Sequence, residues 1–89
     1  MFKVIVFPRA KKSLKKCDER YRQRIIDLLL IFRENPVPAD YYDTKKVKGH
    51  VDIYRVRIGD FRVIYEIKWD DRQVNVLLVE RREVAYKGL

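Results

Sequence analysis

Eighty-nine residues carrying a formal charge of +8 leave room for one domain and one core; two halves of this length would each be too small to bury a core unaided. A single cysteine excludes an internal disulfide, and no apolar run approaches the ~18 residues of a membrane span. The basic balance points to a polyanionic partner: nucleic acid, an anionic membrane or an acidic protein. Residues 1–34 hold ten Lys and Arg against four Asp and Glu, a net +6, so the excess sits near the N-terminus. The lone thiol fits a reducing compartment, and the short apolar start that meets Pro8-Arg9 is no signal peptide. A cytoplasmic protein without membrane association is the expectation.

Residues 2–7 alternate lightly and stop at Pro8, which predicts a mostly buried strand. Pro8 suits the first turn of a helix, where its missing N–H costs nothing. Ala10, Leu14 and Cys17 then recur at helical spacing. Asp18 can cap a second helix, with Glu19 favouring its positive end. Tyr21, Ile25, Leu28, Leu29 and Phe32 form the apolar stripe of that helix, and Asn35-Pro36 ends it. Residues 35–44 carry two prolines and no clean period, so a loop is expected there. Val47 to His50 is expected to form a short strand with Gly49 as its turn.

The clearest pattern follows. Asp52 to Ile58 and Phe61 to Trp69 are β-branched and aromatic, and Gly59-Asp60 separates them as a two-residue hairpin. Asp70-Asp71-Arg72 makes the next turn, and Gln73 to Glu80 is a third strand. The order predicts one α+β domain over residues 1–89: an N-terminal strand, a two-helix hairpin, then an antiparallel β-meander in a four- or five-stranded sheet. Alternation sends Tyr54, Val56 and Ile58 to one face, and Arg55 and Arg57 to the other. Phe61, Val63, Tyr65 and Ile67 oppose Arg62, Ile64 and Glu66 in the same way. With the apolar faces on the helices, Arg55, Arg57 and Arg62 share the outer face. Either Glu66 or Asp60 crosslinks them there, or they await phosphate, whose oxygens match the planar guanidinium fork. Arg81, Arg82 and Tyr86 join the surface if the tail folds over the sheet. His50 is the only histidine, so no histidine-based acid–base couple exists. No metal-ligand cluster or glycine-rich phosphate loop appears, and no cofactor or metal is expected.

The stretch from Val51 to Ile67, a basic strand, a short turn and then Phe61-Arg62-Val63-Ile64-Tyr65, resembles the core signature of the RelE/ParE toxin superfamily. Val79-Glu80-Arg81-Arg82-Glu83-Val84-Ala85-Tyr86 is similar to the family's closing arginine-rich motif and tyrosine. Pro36-Val37-Pro38, leading towards Lys48-Gly49, looks like the archaeal RelE branch. The resemblance spans nearly the whole chain. It implies the toxin of a type II toxin–antitoxin system, a ribosome-dependent mRNA endoribonuclease in which the RNA 2′-hydroxyl attacks phosphate without a metal. It further implies catalytic roles for Arg62, for Arg81 or Arg82, and for Tyr86, with Arg55 and Arg57 binding RNA phosphate. The implied partners are mRNA on the ribosome and a cognate RelB-like antitoxin, the free toxin being a monomer. The alternatives are a ParE-like gyrase inhibitor, a non-catalytic RNA- or ribosome-binding module, and a partner-binding protein whose arginines make internal ion pairs.

Overall fold

A computed structural model describes residues 1–81. The elements run β1 (Lys3–Val6), α1 (Pro8–Lys16), α2 (Glu19–Phe32), β2 (Asp43–Lys46), β3 (Ile53–Ile58), β4 (Phe61–Lys68) and β5 (Gln73–Arg81). The strands form one sheet in the order β1-β5-β4-β3-β2. β2 to β5 are antiparallel neighbours, whereas β1 lies parallel to β5. Both helices therefore fall between an edge strand and the meander, and they cover one face of the sheet.

The helices start and stop where side chains satisfy their free ends. Pro8 opens α1, and the Asp18 carboxylate accepts the Tyr21 backbone N–H at 3.1 Å to cap α2. The sequence gives no hint of the device that closes α1. Arg22 reaches back from α2 and donates to the carbonyls of Leu14, Lys15 and Cys17 at 2.9, 3.1 and 2.6 Å. The Leu14 carbonyl also accepts the Cys17 backbone N–H at 3.3 Å, so one guanidinium supplements the C-cap of α1 and fixes the helical hairpin.

Ala10, Cys17, Ile25, Leu28 and Phe32 are buried against Val56, Ile58, Phe61, Val63, Tyr65, Ile67, Val74, Val76 and Val79. This is the expected union of the two apolar stripes with the inner sheet face. Phe32 lies over Tyr65 at 4.2 Å between ring centroids, and Tyr21 over Phe61 at 4.9 Å. Each such fully buried aromatic or aliphatic side chain contributes about 1.5–3 kcal/mol. Tyr65 also donates from its hydroxyl to the Pro36 carbonyl at 2.7 Å, which ties the loop after α2 to the core. Burial raises the Tyr65 hydroxyl far above the ordinary tyrosine range, with Tyr54 adding to the shift. Tyr65 is thus a core residue.

Three expectations change. β2 begins at Asp43, inside the stretch read as loop, and Val47 to His50 forms a turn with Gly49 at φ +85°. Asp43-Thr44-Lys45-Lys46 has little intrinsic strand preference; pairing with β3 recruits it, and its charges suit an exposed edge. β1 is half-buried rather than mostly buried, because only β5 flanks it. The meander is antiparallel as read, and β1 adds a parallel edge strand beside β5. The β3–β4 hairpin stands as read: Ile58 pairs with Phe61 across Gly59-Asp60, and Gly59 takes φ +56°. A Cβ on Gly59 would meet the Tyr21 ring at 2.5 Å, so the turn also fixes how closely α2 approaches the sheet.

Candidate nucleic-acid interface

Period-two alternation on β3 and β4 leaves one sheet face for the helices and one for solvent. On the inner side Val56, Ile58, Val63 and Tyr65 are buried. On the outer side lie Arg55, Arg57 and Arg62, as the sequence predicts. Arg57 stands directly opposite Arg62 in the ladder, and Arg55 is two residues along the same strand. Lys45 of β2 pairs with Arg55 and adds a cation beside these three; it lay in a stretch that carried no strand signal.

The carboxylates that balance these arginines are not those expected. Asp43 lies 3.3 Å from Arg55 and 4.0 Å from Arg57, and Glu80 lies 2.8 Å from Arg62. Glu66 instead accepts from the Asn75 amide at 3.2 Å, and Asp60 sits exposed in the hairpin turn. All three ion pairs are partly exposed, the Arg62 and Glu80 side chains by 41% and 43%. Such pairs contribute only about 0.2–1 kcal/mol each. The Nε of Arg62 is buried without a hydrogen-bond partner among the described residues.

Arg81 is placed differently. It ends β5 opposite Phe61, which is an inner-face residue. Its guanidinium stands 5.8 Å from the Phe61 ring centroid, on the helix side of the sheet. There it borders a cleft of about 350 Å³ with Ser13, Lys16, Cys17 and Val79. The cause is an irregularity in β5: Ile64 pairs with Leu78 but Tyr65 pairs with Val76, so one extra residue shifts the phase of alternation. Arg81 is not brought together with Arg55, Arg57 and Arg62. Arg82 and Tyr86 lie outside the described residues.

The remaining reactive groups stand apart from this face. Burial pushes the Cys17 thiol up, with the Arg22 charge acting in the opposite direction, so Cys17 is packing rather than a nucleophile. His50 is exposed in the turn before β3. Trp69 packs at the sheet end, edge-on to Phe2 with centroids 5.8 Å apart and donating to Asp52 at 3.1 Å. No helix among the described residues is long and apolar enough to cross a membrane. The outer face therefore offers clustered positive charge and hydrogen-bond donors, suited to anchoring a phosphodiester and stabilising charge that develops on it.

Comparison with known proteins places this small α+β domain, with arginines on the open face of its meander, in a family of toxins. The family model for the ParE toxin of type II toxin–antitoxin systems matches residues 4–86; the chain belongs to this family, within the RelE/ParE superfamily, and is a type II toxin. On the RelE side, it is 40% identical over 87 residues to the candidate toxin RelE1 of Methanocaldococcus jannaschii, covering 98% of this chain and 97% of that one. It superimposes with a TM-score of 0.84 on the archaeal RelE–RelB complex from Pyrococcus horikoshii, at 29% identity over 93% of this chain and 97% of that chain. The isolated E. coli RelE toxin shares the fold, with a TM-score of 0.79 at 21% identity over 99% of this chain and 94% of the other.

Proposed function

We propose that this toxin is a ribosome-dependent mRNA endoribonuclease of the archaeal RelE type. The observation that carries the reading is the convergence of Arg55, Arg57 and Arg62 on one solvent-facing patch, two of them in register across β3 and β4. A gyrase inhibitor has no need of guanidinium groups gathered over a single phosphate.

In the proposed reaction the 2′-oxygen attacks the adjacent phosphorus and the bond to the 5′-oxygen breaks. The products are a 2′,3′-cyclic phosphate and a 5′-hydroxyl; the 2′-hydroxyl loses one proton and the leaving oxygen gains one. Arg55 and Arg57 anchor the phosphate on either side of the scissile linkage. Arg62 stabilises the negative charge that builds on the non-bridging oxygens. A further arginine, Arg81 or Arg82, completes the clamp. Arg81 lies over Phe61 on the opposite face, which favours Arg82 for that role. Tyr86 orients the nucleotide or exchanges a proton; an ordinary tyrosine titrates near ~10 and is a poor base at neutral pH without help. Positioning of the message by the ribosome then supplies much of the acceleration.

The matched relatives include RelE bound to RelB, and a RelB-like antitoxin is the proposed partner here. Its binding segment is acidic or amphipathic, matching a toxin of charge +8. The decisive experiment adds the purified protein to translating ribosomes and maps message ends by primer extension. Cuts that appear only with ribosomes and disappear with the antitoxin are the expected result. Intact message together with inhibited DNA gyrase would replace the reading with the ParE one. Tight, salt-sensitive RNA binding without cuts would reduce the protein to a binding module.

A further inference from the structure

One row of paired residues crosses all four antiparallel strands on the outer face: Asp43, Arg57, Arg62, Glu80. Its two central positions are like charges placed directly opposite one another, an arrangement that repels unless an anion intervenes. Its two ends supply the anions. The row as a whole is neutral, although it lies in a chain of charge +8. Both carboxylates are held loosely. Asp43 is 49% exposed and spans Arg55 and Arg57 at 3.3 and 4.0 Å, the second beyond hydrogen-bond length. Glu80 is 43% exposed and takes a single Nη2 donor of Arg62 at 2.8 Å. A guanidinium has five N–H donors, so most of the fork of Arg62 is uncommitted to Glu80.

Ion pairs this exposed are weak and exchange readily for a better acceptor. A phosphodiester is that acceptor: it carries the same charge and can take two parallel N–H bonds where Glu80 takes one. Permanent bracing would instead favour bidentate, buried pairing. We propose that Asp43 and Glu80 are positioning residues that stand in for RNA phosphates, holding Arg55, Arg57 and Arg62 together in the free protein and yielding them when RNA arrives. The inference rests on the outer face being the RNA face. It adds that two carboxylates of this chain compete with the substrate and so set its affinity.

The sign of the effect separates competition from bracing. Asp43→Asn and Glu80→Gln keep shape and remove charge. Full-length variants are titrated with a fluorescent single-stranded RNA of 2′-O-methyl nucleotides, which cannot be cut, at several salt concentrations. Each single variant is expected to bind about 2- to 5-fold tighter than the parent. The slope of log affinity against log salt should steepen by about 0.7 per carboxylate removed. Glu80→Asp, which keeps the charge, should bind like the parent. In ribosome-dependent cutting, Glu80→Gln should lower KM by the same factor without raising kcat. Thermal unfolding establishes that each variant is folded, and either single variant suffices if the other fails to fold. Folded amide variants that bind as the parent does, or more weakly, would overturn the inference, as would tightening seen with an acidic antitoxin peptide and not with RNA. Arg57→Gln and Arg62→Gln are the controls on the underlying reading. If the parent binds this RNA no better than they do, the RNA face itself is wrongly placed and the inference falls with it. If they weaken binding while the amide variants change nothing, only the inference falls.

Discussion

Arg62 and Arg81 are both arginines of β-strands near the hairpin end of the sheet, yet they point to opposite faces, and this predicts a sharp divergence on substitution. Arg62→Ala removes an outer-face donor. Deleting one preorganised donor to a developing oxyanion typically slows the chemical step by about 100- to 1000-fold, or about 2.7–4 kcal/mol. Its folding cost is small. The lost pair with Glu80 contributes about 0.2–1 kcal/mol given its exposure, and relief of the repulsion with Arg57 offsets part of that. Arg81→Ala removes a cation held 5.8 Å from the Phe61 ring. That contact contributes about 0.5–1 kcal/mol to stability, and nothing in its placement couples it to the phosphate site. The two variants should therefore unfold within a few degrees of the parent while differing in cutting by two orders of magnitude or more. Single-turnover cleavage on stalled ribosomal complexes, beside thermal denaturation, measures both quantities. Equal loss of cutting in the two variants, or full retention in Arg62→Ala, would refute the assignment by sheet face.

Other outcomes follow from packing. Gly59→Ala forces a Cβ to within 2.5 Å of the Tyr21 ring at a φ of +56°; the strain should cost about 1–3 kcal/mol, which is roughly 4–20 °C in Tm for a domain of this size. Arg22→Ala removes the side-chain donors from three carbonyls at the end of α1, of which only that of Leu14 keeps a backbone donor, and should cost about 1.5–3 kcal/mol in denaturant unfolding, whereas Arg24→Ala on the exposed face of α2 should cost under ~1 kcal/mol. Tyr65 keeps its proton more tightly when folded than when unfolded. Its contribution to stability is therefore complete below the ordinary tyrosine value of 10.0 and is lost as pH climbs from there towards the raised folded value. Tyr65→Phe should lower stability near neutrality, by leaving the Pro36 carbonyl unpaired, and should flatten this alkaline decline; an unchanged decline would assign it to other groups.

The meander was legible because its signals are local. Two-residue alternation on β3 and β4 and a Gly-Asp turn determine which side chains face the helices, so Arg55, Arg57 and Arg62 could be assigned to the outer face before any coordinates. That logic does not carry to the end of β5, where the sequence reading assigned no faces. There one extra residue between Leu78 and Val76 reverses which side chains face outward, and no residue type marks the irregularity. β2 was hidden for a different reason. Asp43-Thr44-Lys45-Lys46 is strand only because β3 offers it an edge, so its partner decides its conformation. Asp43 and Lys45 were missed as site residues along with it. Glu80 was read correctly as strand, but its pairing with Arg62 depends on a register eighteen residues apart in sequence. Arg22 carried no signal at all. Its role depends on the angle between two helices, which the sequence sets only through the packed core.

The outer face is rich in positive charge, yet among the described residues it carries no imidazole, and His50 lies away from it in the turn before β3. Its arginines can stabilise charge, but a guanidinium offers only donors and cannot take the 2′-proton. Several donors acting on one phosphate also do not multiply independently. Alignment of the 2′-oxygen, the phosphorus and the leaving 5′-oxygen must then contribute a large share, and well-oriented intramolecular reactions gain effective molarities of about 10⁵–10⁸ M from such alignment. A message held by the ribosome can start near that geometry, whereas a free single strand samples it rarely. The expected outcome is that one message, at equal toxin concentration, is cut at least ~10⁴-fold faster on ribosomes than in free solution. Measured rates within tenfold of each other would mean that the protein carries its own base and alignment device, and the search for it would move to side chains other than the outer-face arginines.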